Sequence, residues 1–276
     1  MSMQWLLLVP VAGVALQAAL VATFGPSAAM WFSTGLAWQS LAGLACLGAA
    51  AAFRPRDCLW RAWVLNGISF LLPAFNKLTT GPDHSWLLAN VPGRPVVELG
   101  YILVVNVASV GACFLYVSAF AEAGLGGAIS PARRRASIGV AVVVAAAIGL
   151  PTLVLDVRAA LAVGGISGAL GDAISDLADA ACFALVAPLA GIAVAFRGGA
   201  LAWPFGFLAA SNLGWLGFDA ATALARAAGA GPAGRVVSEA VLCAACLSAT
   251  SAAVAQRRAI ASVVPAPALA PRRAVG

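Results

Sequence analysis

A short segment occurs twice in this chain, and the repeat limits the architectures that the chain can adopt. Gly93-Arg94-Pro95-Val96-Val97-Glu98 returns as Gly234-Arg235-Val236-Val237-Ser238-Glu239, with four of six positions identical at an offset of 141 residues. Phe75-Asn76-x-x-Thr79 is matched by Phe218-Asp219-x-x-Thr222, 143 residues later. A fixed internal period indicates a duplicated structural unit. We therefore predict two related halves of about 140 residues each.

The composition decides what kind of unit is duplicated. Hydrophobic residues make up 62% of the chain and charged residues only 9%, whereas about a quarter of the residues of soluble domains are charged. A run of about 20 apolar residues is long enough to cross a bilayer as a helix. We predict an all-α membrane protein with eight transmembrane helices, at 4–23, 30–53, 59–76, 95–121, 137–155, 172–196, 200–219 and 236–256.

The even number of spans in each half predicts the orientation of the halves. Four spans return the chain to its starting side, so the halves form two parallel four-helix repeats. The predicted boundaries are 1–138 and 139–258, with a flexible Pro/Ala-rich tail at 259–276. Eleven of the 16 Lys and Arg residues fall on the side that holds the termini. Positive residues favour the cytoplasmic side, so we expect a multi-pass protein of a bacterial inner membrane with both termini in the cytoplasm.

The sequence lacks the residues that several classes of function require. The basic residues lie in short clusters beside apolar runs, a pattern of membrane orientation that argues against nucleic acid as a partner. His84 is the only histidine, which excludes a haem held by two histidines. Cys243-x-x-Cys246 has no histidine nearby and is interpreted as helix packing. No catalytic triad or zinc motif is present, so no cofactor is evident and a non-catalytic protein is favoured.

The densest group of charge is Asp172-x-x-x-Asp176-x-x-Asp179. This spacing places all three carboxylates on one face of a helix. Like charges on one face repel, so the group needs a proton, a bound cation or a basic partner. Carboxylates suit a divalent cation or an amine ligand. The alternative is a structural ion network with the basic side chains of Arg158, Arg226 and Arg235.

The repeated polar positions extend this candidate site. Glu98 and Glu239 are either helix-end carboxylates that pair with an arginine four residues earlier, or two binding groups that face each other across the repeat axis. Asn76 and Asp219 occupy equivalent positions and either cap their helices or join the site. The sequence predicts a ligand-binding vestibule, open to the periplasm, formed by Asp172, Asp176, Asp179, Asp219, Glu239, Glu98 and Asn76.

Three functions fit this pattern. Carboxylates near the outer ends of spans favour a sensory or ligand-binding module that acts through a separate signalling partner in the cytoplasm. The first alternative is a small cation- or proton-coupled transporter, a class that holds its polar site near the bilayer midplane. The second alternative is an intramembrane enzyme acting on a lipid or isoprenoid. The Asp172-x-x-x-Asp176 spacing resembles a diphosphate-binding motif of intramembrane prenyltransferases, although their second Asp-rich motif is missing.

Overall fold

The computed structural model describes residues 3–82, 94–124, 130–163, 165–195 and 202–263. In these residues a short 3-10 helix, Met3–Leu7, precedes eight α-helices, and no strand is present. The helices are α1 (Leu8–Phe24), α2 (Ala28–Ala50), α3 (Cys58–Thr80), α4 (Arg94–Glu122), α5 (Pro131–Val163), α6 (Ile166–Ala195), α7 (Ala202–Ala227) and α8 (Gly231–Val263).

Six of the helices, all but α2 and α7, are long and apolar enough to cross a membrane. The all-α class is thereby confirmed for the described residues, and so is the presence of several helices long and apolar enough to cross a membrane. Helices α2 and α7 have 23 and 26 residues, long enough to span, but they carry more glycine, serine, tryptophan and amide side chains. Those side chains lower the mean hydropathy, so the full set of eight spans stays a prediction.

The helices from α3 onward extend beyond the predicted apolar runs, because only about 20 residues of each need to be apolar to cross a bilayer. The predicted division at 138/139 therefore falls inside α5. Most of the Gly-rich segment 159–171 is helical. Of the predicted tail 259–276, the first five residues belong to α8, and the others lie outside the described residues.

Six helices form a closed ring. Around the ring α2 packs on α3, α3 on α4, α4 on α6, α6 on α7, α7 on α8, and α8 on α2. The two remaining helices lie on the periphery, with α1 against α8 and α5 against α6 and α7. The ring places the middles of its helices around a common centre, which is where a cavity forms.

Small residues allow the ring helices to approach closely. A Cβ added at Gly43 in α2 would lie 3.1 Å from the carbonyl oxygen of Gly67 in α3, and a Cβ at Gly67 would lie equally close to the Gly43 carbonyl. At the α7–α8 contact, a Cβ at Gly214 would lie 2.7 Å from the Cβ of Ala245. Such contacts between small residues are typical of helices packed in lipid.

Both ends of the described chain lie at the same end of the bundle. The Ser251 hydroxyl in α8 donates to the backbone oxygen of Leu6 at 3.3 Å. The guanidinium of Arg258 lies 4.7 Å from the ring centre of Trp5. At the opposite end of the bundle, α5 and α7 finish while α6 and α8 begin, and we call this the acidic end.

Candidate functional site

The aspartates of α6 meet two further aspartates from neighbouring helices. Asp176 and Asp179 are 2% and 8% exposed. Asp219 of α7 interacts electrostatically with Asp176 and Asp179, and Asp156 of α5 interacts with Asp172. We call these five residues the aspartate cluster: Asp156, Asp172, Asp176, Asp179 and Asp219. Asp156 is the one member that was not among the predicted site residues.

An arginine neutralises the outermost part of the aspartate cluster. Nη1 of Arg226 lies 3.0 Å from Oδ1 of Asp156 and 3.9 Å from Oδ2 of Asp172. These pairs join the acidic ends of α5, α6 and α7. The Asp156 side chain is only 9% exposed, so its charge needs this partner. This part of the cluster is a structural ion network.

The inner part of the aspartate cluster is arranged differently. Within the described residues no ion pair reaches Asp176, Asp179 or Asp219. The side chains of Asp179 and Asp219 lie close enough to interact directly. Two such groups repel each other when both are charged, so the pair needs a proton, a cation or another hydrogen-bond donor nearby. The Oδ2 atoms of Asp176 and Asp219 are buried without a hydrogen-bond partner.

A cavity of about 200 Å³ lies inside the helix ring, next to Asp179. It is lined by α2, α3, α4, α6 and α7, and most of its residues lie near the middle of their helices. Asp179 is in its wall, so the cavity and the aspartate cluster are continuous. The polar part of the wall includes Gln39, Asn66, Asn106, Ser175, Asp179 and Asn212.

Most of the amide donors in the cavity wall are already used. The Nδ2 atoms of Asn106 and Asn212 donate to the carbonyls of Ile102 and Leu208, at 2.9 and 2.8 Å. Two other polar atoms of the wall are buried and have no partner, namely Oε1 of Gln39 and the hydroxyl of Tyr101. A buried acceptor without a donor lowers the stability of the fold. A hydrogen-bond donor bound in the cavity would satisfy these two oxygens.

Aromatic rings form the apolar wall of the same cavity. Phe70 of α3 and Trp215 of α7 both line it, with ring centres 5.9 Å apart and planes inclined at 50°. The cavity therefore combines one buried carboxylate, polar atoms without a hydrogen-bond partner and two aromatic side chains.

The remaining predicted site residues lie on α3, α4 and α8, outside the aspartate cluster. Glu239 is 8% exposed, and its Oε1 lies 3.7 Å from Nε of Arg235. Its other charged neighbour is Lys77. The sequence placed Lys77 in a polar loop, but it belongs to the last turn of α3, and its Nζ lies against Gly35 of α2, 2.7 Å from where a Cβ would be. A basic residue can close a helix at its carboxyl end, which explains why α3 continues through it.

Two further predicted positions, Asn76 and Glu98, lie outside the central cavity. The backbone oxygen of Asn76 accepts hydrogen bonds from the Thr79 and Thr80 hydroxyls, at 3.0 and 2.8 Å. Glu98 is half-buried on α4. Neither of them lines the central cavity.

An open cleft of about 540 Å³ lies between the acidic ends of α7 and α8. Arg226, Arg235 and Glu239 line it, with Thr222 and Ser238 between them. The cleft is at the place where the sequence predicted an acidic vestibule, yet two arginines share it with one glutamate. Its charge is therefore mixed rather than uniformly negative.

Carboxylates are abundant near the acidic end, and carboxylates are common metal ligands. In the described ranges, no group of three or more Asp, Glu, Cys or His residues has an arrangement that could hold a metal ion. A divalent cation as a ligand stays a prediction.

The amides of the central cavity were missed by reasoning from the sequence. Gln39, Asn66, Asn106 and Asn212 each lie near the middle of an otherwise apolar helix. Such a side chain must find a hydrogen-bond partner inside the protein when the helix is in lipid. Amides at the middles of four different apolar helices were the signal that could have indicated a shared polar interior.

Comparisons of the chain with protein-family models, with curated proteins and with solved structures gave no match. The functional proposal therefore rests on the side chains themselves.

Proposed function

We propose that the protein is a small transporter of a bacterial inner membrane that moves a polar solute, coupled to protons or to another cation, through the central cavity. One observation carries the proposal: a buried carboxylate, Asp179, forms part of a polar cavity near the middle of five packed helices. Carriers typically bind their substrate near the bilayer midplane, where either side of the membrane can be reached in turn.

The position of Asp179 favours a transporter over a one-sided sensory module. From the sequence, carboxylates near the outer ends of the spans favoured a one-sided sensory module. Asp179 is near the middle of α6 and continuous with the cavity. Its contact with Asp219 supports coupling, because two adjoining carboxyl groups repel each other when both are charged, and either a proton or a cation relieves that repulsion.

The helix contacts support the proposed two-repeat architecture. The α2–α3, α3–α4 and α4–α6 contacts correspond to α6–α7, α7–α8 and α8–α2 when the halves are exchanged. The peripheral helices depart from this symmetry, since α1 packs against α8 and α5 against α6 and α7. An even number of spans per half then places both termini on one side, which we assign to the cytoplasm from the distribution of Lys and Arg.

The topology predicts which end of α8 is accessible in intact cells. Ala228 lies exposed at the acidic end and Ala261 lies exposed near the other end of α8. A membrane-impermeant thiol reagent should label Ala228→Cys in intact cells and should label Ala261→Cys only after the cells are opened. The reverse pattern would place the aspartate cluster on the cytoplasmic face and overturn the orientation.

The transporter proposal predicts that a residue of the cavity becomes accessible from both sides of the membrane. Ser211 of α7 lines the cavity and is 3% exposed. We expect Ser211→Cys to react with a cationic, membrane-impermeant thiosulfonate in right-side-out vesicles and also in inside-out vesicles. The wild type is the matched blank, because five of its six cysteines are buried and Cys58 is partly buried.

The pattern of labelling separates the candidate functions without knowledge of the substrate. Reaction from both sides supports alternating access. Reaction from the periplasmic side alone contradicts a carrier and supports the sensory module. Reaction from neither side contradicts the carrier, because the cavity would then be sealed, and leaves only the open cleft between α7 and α8 for a sensory module.

A sensory module is the second candidate, and the open cleft favours it. The cleft between α7 and α8 is wide and lies at the surface, and Arg226, Arg235 and Glu239 line it. A ligand would reach these side chains without passing through the bundle. In that case the signal would reach a separate cytoplasmic partner through movement of α7 and α8.

A further inference from the structure

We infer that the central cavity binds a small organic ammonium ion, with the ammonium group at Asp179 and its apolar part against Phe70 and Trp215. This inference rests on the proposed transport site and names the chemical class of its substrate. It follows from the charge, the free acceptors and the aromatic wall of one cavity.

The charge of the cavity fits a single positive ion. Among the described residues that line the cavity, Asp179 is the one acidic residue, and its side chain adjoins that of Asp219. In the described residues the ion pairs of Arg226 stop at Asp156 and Asp172, so the inner charge has no ion-pair partner within 4.0 Å. A monocation therefore matches the single carboxylate of the described cavity wall.

The free polar atoms favour a donor with several N–H bonds. Oε1 of Gln39 is an acceptor without a donor, and the side chain is 4% exposed and lines the cavity. The Tyr101 hydroxyl is also without a partner. An ammonium group carries up to three N–H donors and no acceptor, so it can reach the Asp179 carboxylate and still donate to these oxygens. A bare metal ion is disfavoured, since the described carboxylates do not converge on one point.

The apolar wall and the volume set the size of the rest of the ligand. Phe70 and Trp215 both line the cavity, and an aromatic ring attracts a cation over its face as well as an apolar group. A cavity of about 150 Å³ holds benzene, and this cavity measures about 200 Å³. The ligand is therefore a monoamine with an apolar part about as large as one aromatic ring.

Thermal melting of the detergent-purified protein tests this inference with defined probes. We expect 2-phenylethylammonium chloride, at millimolar concentration and near-neutral pH, to raise the Tm by about 3 °C when it exceeds its Kd tenfold. The neutral analogue 2-phenylethanol and an equal concentration of sodium chloride should leave the Tm within error. Asp179→Asn should weaken the effect of the amine by at least about tenfold, since it removes the charged partner.

Three variants give the experiment its controls. Glu122→Gln removes an exposed carboxylate at the end of α4, far from the cavity lining, and should respond as the wild type does. Gln39→Leu should reduce the response less than Asp179→Asn, because it removes one neutral acceptor. If Asp179→Asn is too unstable to purify, two comparisons still test the inference. They are the Tm shift of Gln39→Leu against that of the wild type, and the shift with the amine against that with the neutral alcohol.

The outcomes distinguish the ligand class from the transport proposal. Equal shifts with the amine and the alcohol, an equal shift with sodium chloride, or an unchanged response in Asp179→Asn would each overturn the ammonium assignment. Two-sided labelling of Ser211→Cys together with no amine response would leave the transporter proposal standing without its substrate. An amine response with one-sided labelling would keep the ligand and reject the carrier.

Discussion

Replacing Arg226 with Gln should lower the free energy of unfolding by about 1–3 kcal/mol. The change leaves the Asp156 carboxylate, whose side chain is 9% exposed, without its partner at 3.0 Å. Removing one member of a fully buried ion pair costs about 3–5 kcal/mol. The Arg226 side chain is 49% exposed, so water screens part of the interaction and the cost is reduced. Unfolding in mixed micelles with increasing SDS measures the difference.

A double-mutant cycle separates the ion pair from other effects of the substitution. The Asp156→Asn change removes the buried charge, so Arg226→Gln should cost much less in that background than in the wild type. Arg158→Gln is the matched control on α5, because Arg158 is exposed, and such surface changes usually stay within about 0.5 kcal/mol. If Arg226→Gln is as mild as Arg158→Gln, the ion network does not hold α5, α6 and α7 together at the acidic end.

Replacing Gly214 with Ala should also destabilise the bundle by about 1–3 kcal/mol, the usual cost of overpacking. The added Cβ would lie 2.7 Å from the Cβ of Ala245 and 3.0 Å from its Cα. These atoms belong to α8 itself and not to the end of a flexible side chain. The two helices would have to separate, and their separation disturbs the ring that encloses the cavity.

Gly206 provides the matched control on the same helix. A Cβ at Gly206 would meet no atom within 4 Å, so Gly206→Ala should be neutral or slightly stabilising, since alanine forms helices better than glycine. The same SDS titration compares the two variants. Equal stability of Gly206→Ala and Gly214→Ala would mean that α7 and α8 do not approach each other as closely as the structure has them.

The class of the fold was predictable because it depends on local properties of the chain. Apolar runs of about 20 residues determine membrane-crossing helices whatever their neighbours are, and six of the eight predicted spans meet that standard. The boundaries were less predictable, because the helices continue past their apolar segments. Lys77 illustrates this: its charge predicted a loop, but it closes α3 and packs against Gly35.

The candidate site was predictable only in part. The spacing of Asp172, Asp176 and Asp179 indicated a shared helix face and a need for partners, because helical periodicity is a local property. The spacing could not tell which of three arginines would act as partner. The partner is Arg226, because the packing of α5 against α6 and α7 brings Asp156 next to this arginine, which lies 70 positions away in sequence.

The sequence by itself thus determined a helical membrane protein, a repeated segment and a stripe of aspartates. Hydropathy, periodicity and internal similarity are properties of short stretches and need no knowledge of their neighbours. Only the tertiary structure decided that six helices close into a ring and that Gln39, Asp179 and Trp215 face one cavity. Those residues come from three different helices, and their meeting depends on how close packing at positions such as Gly43 and Gly214 orients each helix.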